Sequence, residues 1–477
     1  MSPVAVIPNI IEGEEITNPE KVFPVHCPTK PEDVLHHYSY FDVNKENIDK
    51  LVSNTQKGFK EWSKYSIGQR NKIFLKTIEL LEERKQQFVD AQSEIGLPGW
   101  FAGFNVGGVI HQIEQVINQA PQAGVVPSAM TDLALTYKLP IGPVLSISPW
   151  NAPVILAGRS ILYPLAAGCS VIVKPSEKSP KCSYLLVKCF LDAGVPANAL
   201  QMANLRPEDN PAFIDDLLKT GGIKKLNFTG STAVGKKIAV TAAKYLVPYL
   251  LELGGKNTSV ILEDADLDKA AGNAVWSSWA HKGQICMSTD HVFVHESIYD
   301  EFKEKLIKTA TEVAKDPDYL ISQRDTLGTN KIVDLVEDAL QKGGKLAFGE
   351  FSREKVEETN VITPIILEDV PKESSLYLTE SFGPLCVLEK FSDVNDVVDE
   401  INSRDYGLKS SVWSKNVIKA IGIAKDIEAG GVHINGSTVH DEPGVPHGGV
   451  KSSGVGRFNS IWGIEEFCVL KSITINQ

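Results

Sequence analysis

Val144-Leu-Ser-Ile-Ser148, Ser170-Val-Ile-Val173, Leu200-Gln-Met-Ala-Asn204 and Lys225-Leu-Asn-Phe228 are short, mostly apolar runs, and intervening segments such as Lys181–Ala193 have helical length. Ser259–Leu262 and His291–Val294 extend the alternation, with Val234–Tyr245 as another helix. Apolar strands of this length, alternating with helices, predict βαβ units and a parallel sheet covered on both faces, hence an α/β fold. Upstream, the first 40 residues carry prolines at 3, 8, 19, 24, 28 and 31 and read as extended and turn-rich. Helical periodicity begins near Asn47. It is strong from Gln69 to Gln92, where Ile73, Phe74, Ile78, Leu80, Leu81 and Phe88 form one apolar face. A second α/β stretch runs from Leu253 to Asp441. Met130–Pro140 and Cys468–Asn476 are β-prone and read as arms that pair with each other or with a second subunit.

The chain has 477 residues, too many for one hydrophobic core. With 43% hydrophobic and 23% charged residues it has the composition of an ordinary globular protein. A formal charge of −12 sets its field against nucleic acid and anionic membranes. No apolar run is long enough to span a bilayer, and the N-terminus lacks the basic region of a secretory signal and the arginines of a mitochondrial presequence. Seven cysteines without a secretion signal imply reduced thiols and a cytoplasmic location. By the same argument Asn227-Phe-Thr, Asn257-Thr-Ser and Asn435-Gly-Ser match the glycosylation pattern by chance. There is no CxxC pair, and no structural metal site is expected.

Leu226-Asn-Phe-Thr-Gly-Ser-Thr-Ala-Val-Gly-Lys-Lys runs from a strand into a helix. Gly230 and Gly235 relax the turn, Ser231 adds a hydroxyl, and the helix N-terminus offers free N–H groups to a phosphate. The stretch meets GxxxxGK[ST] except at its last position, where Lys237 replaces the hydroxyl that would ligate magnesium. A nucleotide triphosphatase would lose its metal there. A dinucleotide pyrophosphate needs only the backbone cradle, although the usual GxGxxG is also absent. A tight turn that binds nothing remains the third reading.

Cys286 lies between Ile285 and Met287, surroundings that more often hold an inert thiol. Glu252 sits between leucines beside a glycine pair, either half-buried as a general base or simply paired with Lys256. Asn151 follows Ser148-Pro-Trp at the end of a strand, where a side-chain amide can donate to an oxyanion. The only cation close to Cys286 in sequence is Lys282, and His281, His440 and His447 have no ligand spacing, so they read as structural or pocket polar groups.

Ser148-Pro-Trp-Asn, Lys174-Pro-Ser-Glu, Phe228-Thr-Gly-Ser, Leu251-Glu-Leu-Gly-Gly-Lys, Gly283-Gln-Ile-Cys, Glu380-Ser-Phe-Gly-Pro and Pro446-His-Gly-Gly-Val-Lys-Ser-Ser-Gly together resemble, in order, the motifs of the aldehyde dehydrogenase superfamily. The resemblance covers the chain from about residue 45 onward. It implies a Rossmann-type NAD-binding domain (1–129 and 141–252), a second α/β catalytic domain (253–441) and oligomerisation or bridging segments (130–140 and 442–477) in a homodimer or homotetramer. It implies Cys286 as nucleophile, Asn151 in the oxyanion site, Glu252 as the base that activates water, and Lys174 as a cation assisting catalysis. Ser148, Trp150, Lys174, Glu177, Gly230, Ser231, Gly235, Leu253, Glu380 and Phe382 are the implied cofactor contacts. Glu177 on the ribose hydroxyls favours NAD over NADP, a preference that Lys174, Lys178 and Lys181 would soften.

Asn435-Gly-Ser-Thr-Val-His-Asp-Glu-Pro, Arg206-Pro-Glu-Asp and Gly103-Phe-Asn-Val are similar to the branch that oxidises salicylaldehyde and vanillin. That branch implies an aromatic aldehyde substrate and a pocket of Trp100, Phe101, Asn105, Arg159, Ile285, Met287 and Thr438, with Arg159 eight positions after Asn151. The sequence departs from the branch at Phe101, where tryptophan is usual, and at His447, where phenylalanine is commoner. Other readings are an NADP-dependent aliphatic or semialdehyde dehydrogenase, a CoA-acylating enzyme, which could dispense with Glu252, and a non-catalytic crystallin-like relative.

Overall fold

The computed structural model describes residues 6–320 and 322–476; Pro3 and the start of the N-terminal reading lie outside them. The apolar runs form the middle of an eight-stranded sheet, in the order Gly454–Val455, Tyr249–Glu252, Lys225–Thr229, Val144–Ile147, Val171–Lys174, Leu200–Met202, Asn9–Ile11 and Glu14–Ile16. The five strands from Tyr249–Glu252 to Leu200–Met202 are parallel, and the flanking short strands pair antiparallel. Val144–Ile147 enters first, the next two strands build to one side, and Lys225–Thr229 and Tyr249–Glu252 build to the other. The winding therefore reverses between Val144–Ile147 and Lys225–Thr229, and at such a switch point the strand ends leave a crevice for a ligand. Ser148 and Gly230 lie just past those ends.

The helix that follows the first central strand, Pro153–Ala167, has every residue buried. Proline at its first position needs no N–H partner, and Gly168 stops it in the left-handed region (φ 97°). The single helical stretch expected over Gln69–Gln92 is two helices, Ile67–Glu83 and Lys85–Ser93. Arg84 breaks it at φ −96° and ψ 9°, its guanidinium held by Asp192 at 2.8 Å. Gly99–Val116 is also helical, its amphipathic pattern diluted by Gly99, Gly103, Gly107 and Gly108.

A second, seven-stranded sheet starts at Asn257–Ile261, directly after the first sheet's Tyr249–Glu252. Its strands are parallel except for the edge pair Lys345–Phe348 and Ile365–Glu368. The chain then returns: Gly454–Val455 pairs with Leu251 and Glu252. The two β-prone arms pair with each other within the chain, Leu133–Pro140 against Cys468–Ile475, with Gly124–Val126 on the outer edge.

Candidate active site

Cys286 is delivered by an unusual turn. After the helix Leu267–Trp279, His281, Lys282 and Gly283 are all left-handed (φ 49°, 58° and 71°). A Cβ on Gly283 would lie 1.9 Å from the Gly383 carbonyl oxygen, so only glycine allows that approach. Asn257 then clamps the loop, its Nδ2 donating to the carbonyls of Cys286 and Ser288 at 2.9 Å each. Sequence reading missed Asn257, which looks like any strand-opening polar residue.

The Cys286 thiol donates to Glu252 Oε1 at 3.1 Å. Burial pushes the thiol well above its ordinary value and the Glu252 charge adds to this, against the opposing pull of Arg159. Both effects favour the thiol over the thiolate. Burial would also raise the Glu252 carboxyl, yet His447, Arg159 and the thiol outweigh it and hold the group below the usual carboxylate range. Lys256 is paired with Asp290 at 3.1 Å, which removes the reading of Glu252 as its partner. Asn151 is buried beside the thiol, and its Nδ2 donates to the Gln284 carbonyl at 3.0 Å, leaving a second N–H.

Three cavities adjoin here, the first sharing lining residues with each of the other two. The first is lined by Asn151, Glu252, Leu253, Cys286, Glu380 and Phe382. It shares Pro149, Trp150, Thr229, Gly230 and Ser231 with a second cavity at the switch point, where Ser148, Lys174 and Glu177 lie. Ser231 caps the helix Thr232–Lys244, and Gly235 lets that helix close on Leu253, 2.5 Å from where a Cβ would stand. The Ser148 hydroxyl is buried without a partner. Glu380 Oε1 accepts from the Gly255 N–H at 3.0 Å, and burial raises its carboxyl to about 7. Phe382 is left-handed (φ 55°), edge-on to Trp150.

Free N–H groups at a helix start, an orphaned hydroxyl and a carboxylate in one trough fit a dinucleotide. Lys237, not Lys236, lines the trough, so the lysine that a triphosphatase loop requires is turned away. Lys178 is taken by Asp325 and Lys181 by Glu94, so of the three lysines near Glu177 in sequence only Lys174, 3.8 Å from it, faces Glu177 itself. Lys174 therefore does not serve the thiol as expected: it stands in the switch-point cavity, not around Cys286. Lys282 does not either, since its Nζ donates to the carbonyls of Gly96 and Ser322.

The third cavity, about 370 Å³, opens on the other side of Cys286 and is lined by Trp100, Phe101, Asn105, Arg159, Ile285 and Met287, as expected. Phe104, Trp276, His440 and His447 also line it. Phe101 stacks on Phe104 and on His281, giving a flat aromatic wall. Thr438 does not line it: its hydroxyl is buried on Thr289 at 2.7 Å. Arg159 lines the cavity with its guanidinium already engaged by other side chains. Its guanidinium is bound to Asp441 (2.8 Å) and Glu252 (3.2 Å), and it lies over the Phe458 ring.

Among the described residues there is no helix long and apolar enough to cross a membrane and no cluster of three metal-ligating side chains.

The structure thus sets a thiol, a carboxylate and an amide together, with one cavity that fits a dinucleotide and another walled by aromatic side chains. The sequence profile of the aldehyde dehydrogenase family matches residues 16–473. A vanillin dehydrogenase from a Pseudomonas species is 38% identical, with 90% of each chain covered. An NAD(+) benzaldehyde dehydrogenase of Pseudomonas putida is 32% identical, covering 89% of this chain and 88% of the other. The crystal structure of a salicylaldehyde dehydrogenase from Pseudomonas putida G7, complexed with salicylaldehyde, superposes with a TM-score of 0.93 at 32% identity, covering 99% of this chain and 98% of the other. Matched in sequence and fold along nearly its whole length, the chain belongs to the aldehyde dehydrogenase family, oxidoreductases that act on aldehydes.

Proposed function

We propose that the protein oxidises an aromatic aldehyde to its carboxylic acid, with NAD as acceptor and Cys286 as covalent nucleophile. The observation that carries this reading is the meeting of the dinucleotide trough and the aromatic cavity at one thiol. The Cys286 sulfur adds to the aldehyde carbon, and its proton leaves through Glu252 Oε1, the group on which it already rests. Asn151 and the Cys286 backbone N–H face the oxygen that becomes anionic in the thiohemiacetal. NAD bound in the trough supplies the acceptor for the hydride that leaves the carbon. Glu252 then draws a proton from water as its oxygen attacks the thioester, and the sulfur departs. A CoA-acylating enzyme would have no need of that base.

The flat wall of Phe101 and Phe104 supports an aryl ring, as do the vanillin, salicylaldehyde and benzaldehyde dehydrogenases among the relatives. Asn105 lines the same cavity. Its Nδ2 is held by the Phe101 carbonyl, while its buried Oδ1 has no partner, a point of attachment for a ring hydroxyl. Following NADH with aliphatic and aryl aldehydes tests the reading: kcat/KM for aryl aldehydes should exceed that for short alkanals by about tenfold or more, as expected for filling an apolar slot. Equal values would remove the aromatic assignment, and no turnover of any aldehyde would remove the activity.

Glu177 at the ribose end supports NAD. Its charge would oppose a 2′-phosphate, and two of the three nearby lysines are engaged elsewhere. Glu177→Ser is expected to lower the NAD-over-NADP ratio of kcat/KM by about tenfold, roughly 1.4 kcal/mol. An unchanged ratio excludes that role. The exposed apolar side chains of the paired arms, Leu139, Leu470 and Ile473 among them, support association with further copies of the chain. Seven unpaired thiols support a cytoplasmic location.

A further inference from the structure

Glu252 has a neighbour that the reaction as written does not use. His447 Nε2 lies 3.5 Å from Glu252 Oε1, and His447 Nδ1 lies 3.6 Å from Asp441 Oδ1. The ring is 1% exposed, and paired backbone hydrogen bonds with Phe458 hold it in place. Neither ring nitrogen has a hydrogen-bond partner, although each faces a carboxylate a few tenths of an ångström beyond bonding distance. Asp441 is itself fixed, by Arg159 Nη1 at 2.8 Å and Asn459 Nδ2 at 2.7 Å. Asp441, His447 and Glu252 thus form a file ending at the thiol, with the imidazole in the middle.

Such a file answers a difficulty in the hydrolytic step. With His447 neutral, Glu252 still lies 3.2 Å from the Arg159 cation, which favours its carboxylate and makes it a poor place for a proton to stay. We propose that His447 is the proton carrier for Glu252, accepting at Nε2 the proton that Glu252 takes from the attacking water, with Asp441 facing Nδ1–H. The proposal rests on Glu252 acting as the base. One water O–H bond breaks as its oxygen bonds to the thioester carbon, and the proton goes to Glu252 Oε1. The C–S electron pair leaves with Cys286, and the acid is released. Glu252 returns to carboxylate as its proton passes to His447, which lines the aldehyde cavity and discharges to water once the acid has left. Because His447 acts through Glu252, it is a positioning residue for proton movement. The charged or titratable groups around the pair are Arg159, Asp441, Cys286, Lys409, His433 and His440.

The test is stopped-flow NADH formation by the full-length protein with NAD and saturating aldehyde, comparing wild type, H447Q, H447F, H447A and E252Q. The expected result is an intact burst in the His447 variants, with a post-burst rate at least about tenfold lower and KM for the aldehyde little changed. The pH profile of the post-burst rate should differ between wild type and H447Q, because H447Q can take no proton from Glu252. Added imidazole should restore the post-burst rate of H447A. Wild-type post-burst rates and pH profile in H447Q and H447F, alongside a stalled E252Q, would overturn the carrier role and leave the base in place. A shift in KM alone would overturn it too, by assigning His447 to aldehyde binding. Steady turnover by E252Q at the wild-type rate would overturn the base, and the carrier with it.

Discussion

Cys286→Ala is expected to abolish aldehyde-dependent NADH formation, lowering kcat/KM on the order of 10⁴-fold or more. The size of the effect follows from the site. Asn151 and the cofactor trough can orient an aldehyde, but without the sulfur there is no tetrahedral alkoxide at the carbon, and a free aldehyde loses hydride poorly. The change removes a small, half-buried side chain from a loop held by Asn257 through its backbone, so the fold should survive. A matching thermal melt with full loss of turnover is the expected pair of observations. Turnover retained within tenfold of wild type would mean that another group carries the bond.

Glu252→Gln should separate two steps that wild type runs together. One equivalent of NADH is expected in a burst, itself slower than in wild type because the thiol's proton has lost its acceptor, followed by a steady rate lower by about 10² to 10⁴-fold as the thioester waits for water. The same variant has a second consequence, opposite in sign. With no cofactor bound, Glu252 is one of the groups that hold the thiol high, by placing negative charge where a thiolate would form. Removing that charge lowers the thiol's pKa and raises the thiolate fraction at any fixed pH below it. Iodoacetamide modification of Cys286 at pH 8, read by peptide mass, should therefore be several-fold faster in Glu252→Gln than in wild type. Slower modification would show instead that Glu252 activates the resting thiol. Cys169, Cys182, Cys189 and Cys386 are buried and should remain unmodified in both.

Much of the framework was legible along the chain because its signals are local. Strands buried on both faces read as unbroken apolar runs, and all six expected strands lie within a residue or two of those observed. The arms were recognisable as β-prone, and their mutual pairing was one of two outcomes consistent with that. The break at Arg84 was not legible, since the apolar face continues across it and only the backbone angles change.

The site divides in the same way. Cys286, Asn151 and Glu252 were found because each stands in a short motif, and most of the aromatic cavity followed from resemblance. Their electrostatics did not. Lys282 was the cation that sequence spacing offered to the thiol and Lys174 the one that resemblance implied, and folding commits both elsewhere. The cation that does reach it is Arg159, which had been expected on the substrate. Thr438 was placed on the wall and is turned into a buried hydroxyl pair. His447 had no partner in sequence because its carboxylates are Asp441, six positions away in a loop, and Glu252, nearly two hundred positions earlier. Side-chain type and local periodicity determine which chemistry the chain can bring and which sheets it builds. Which charges meet around the sulfur depends on how the chain's return to the first sheet at Gly454–Val455 packs the segment before it against the helix that carries Arg159. That is a contact of long sequence separation, and no local pattern encodes it.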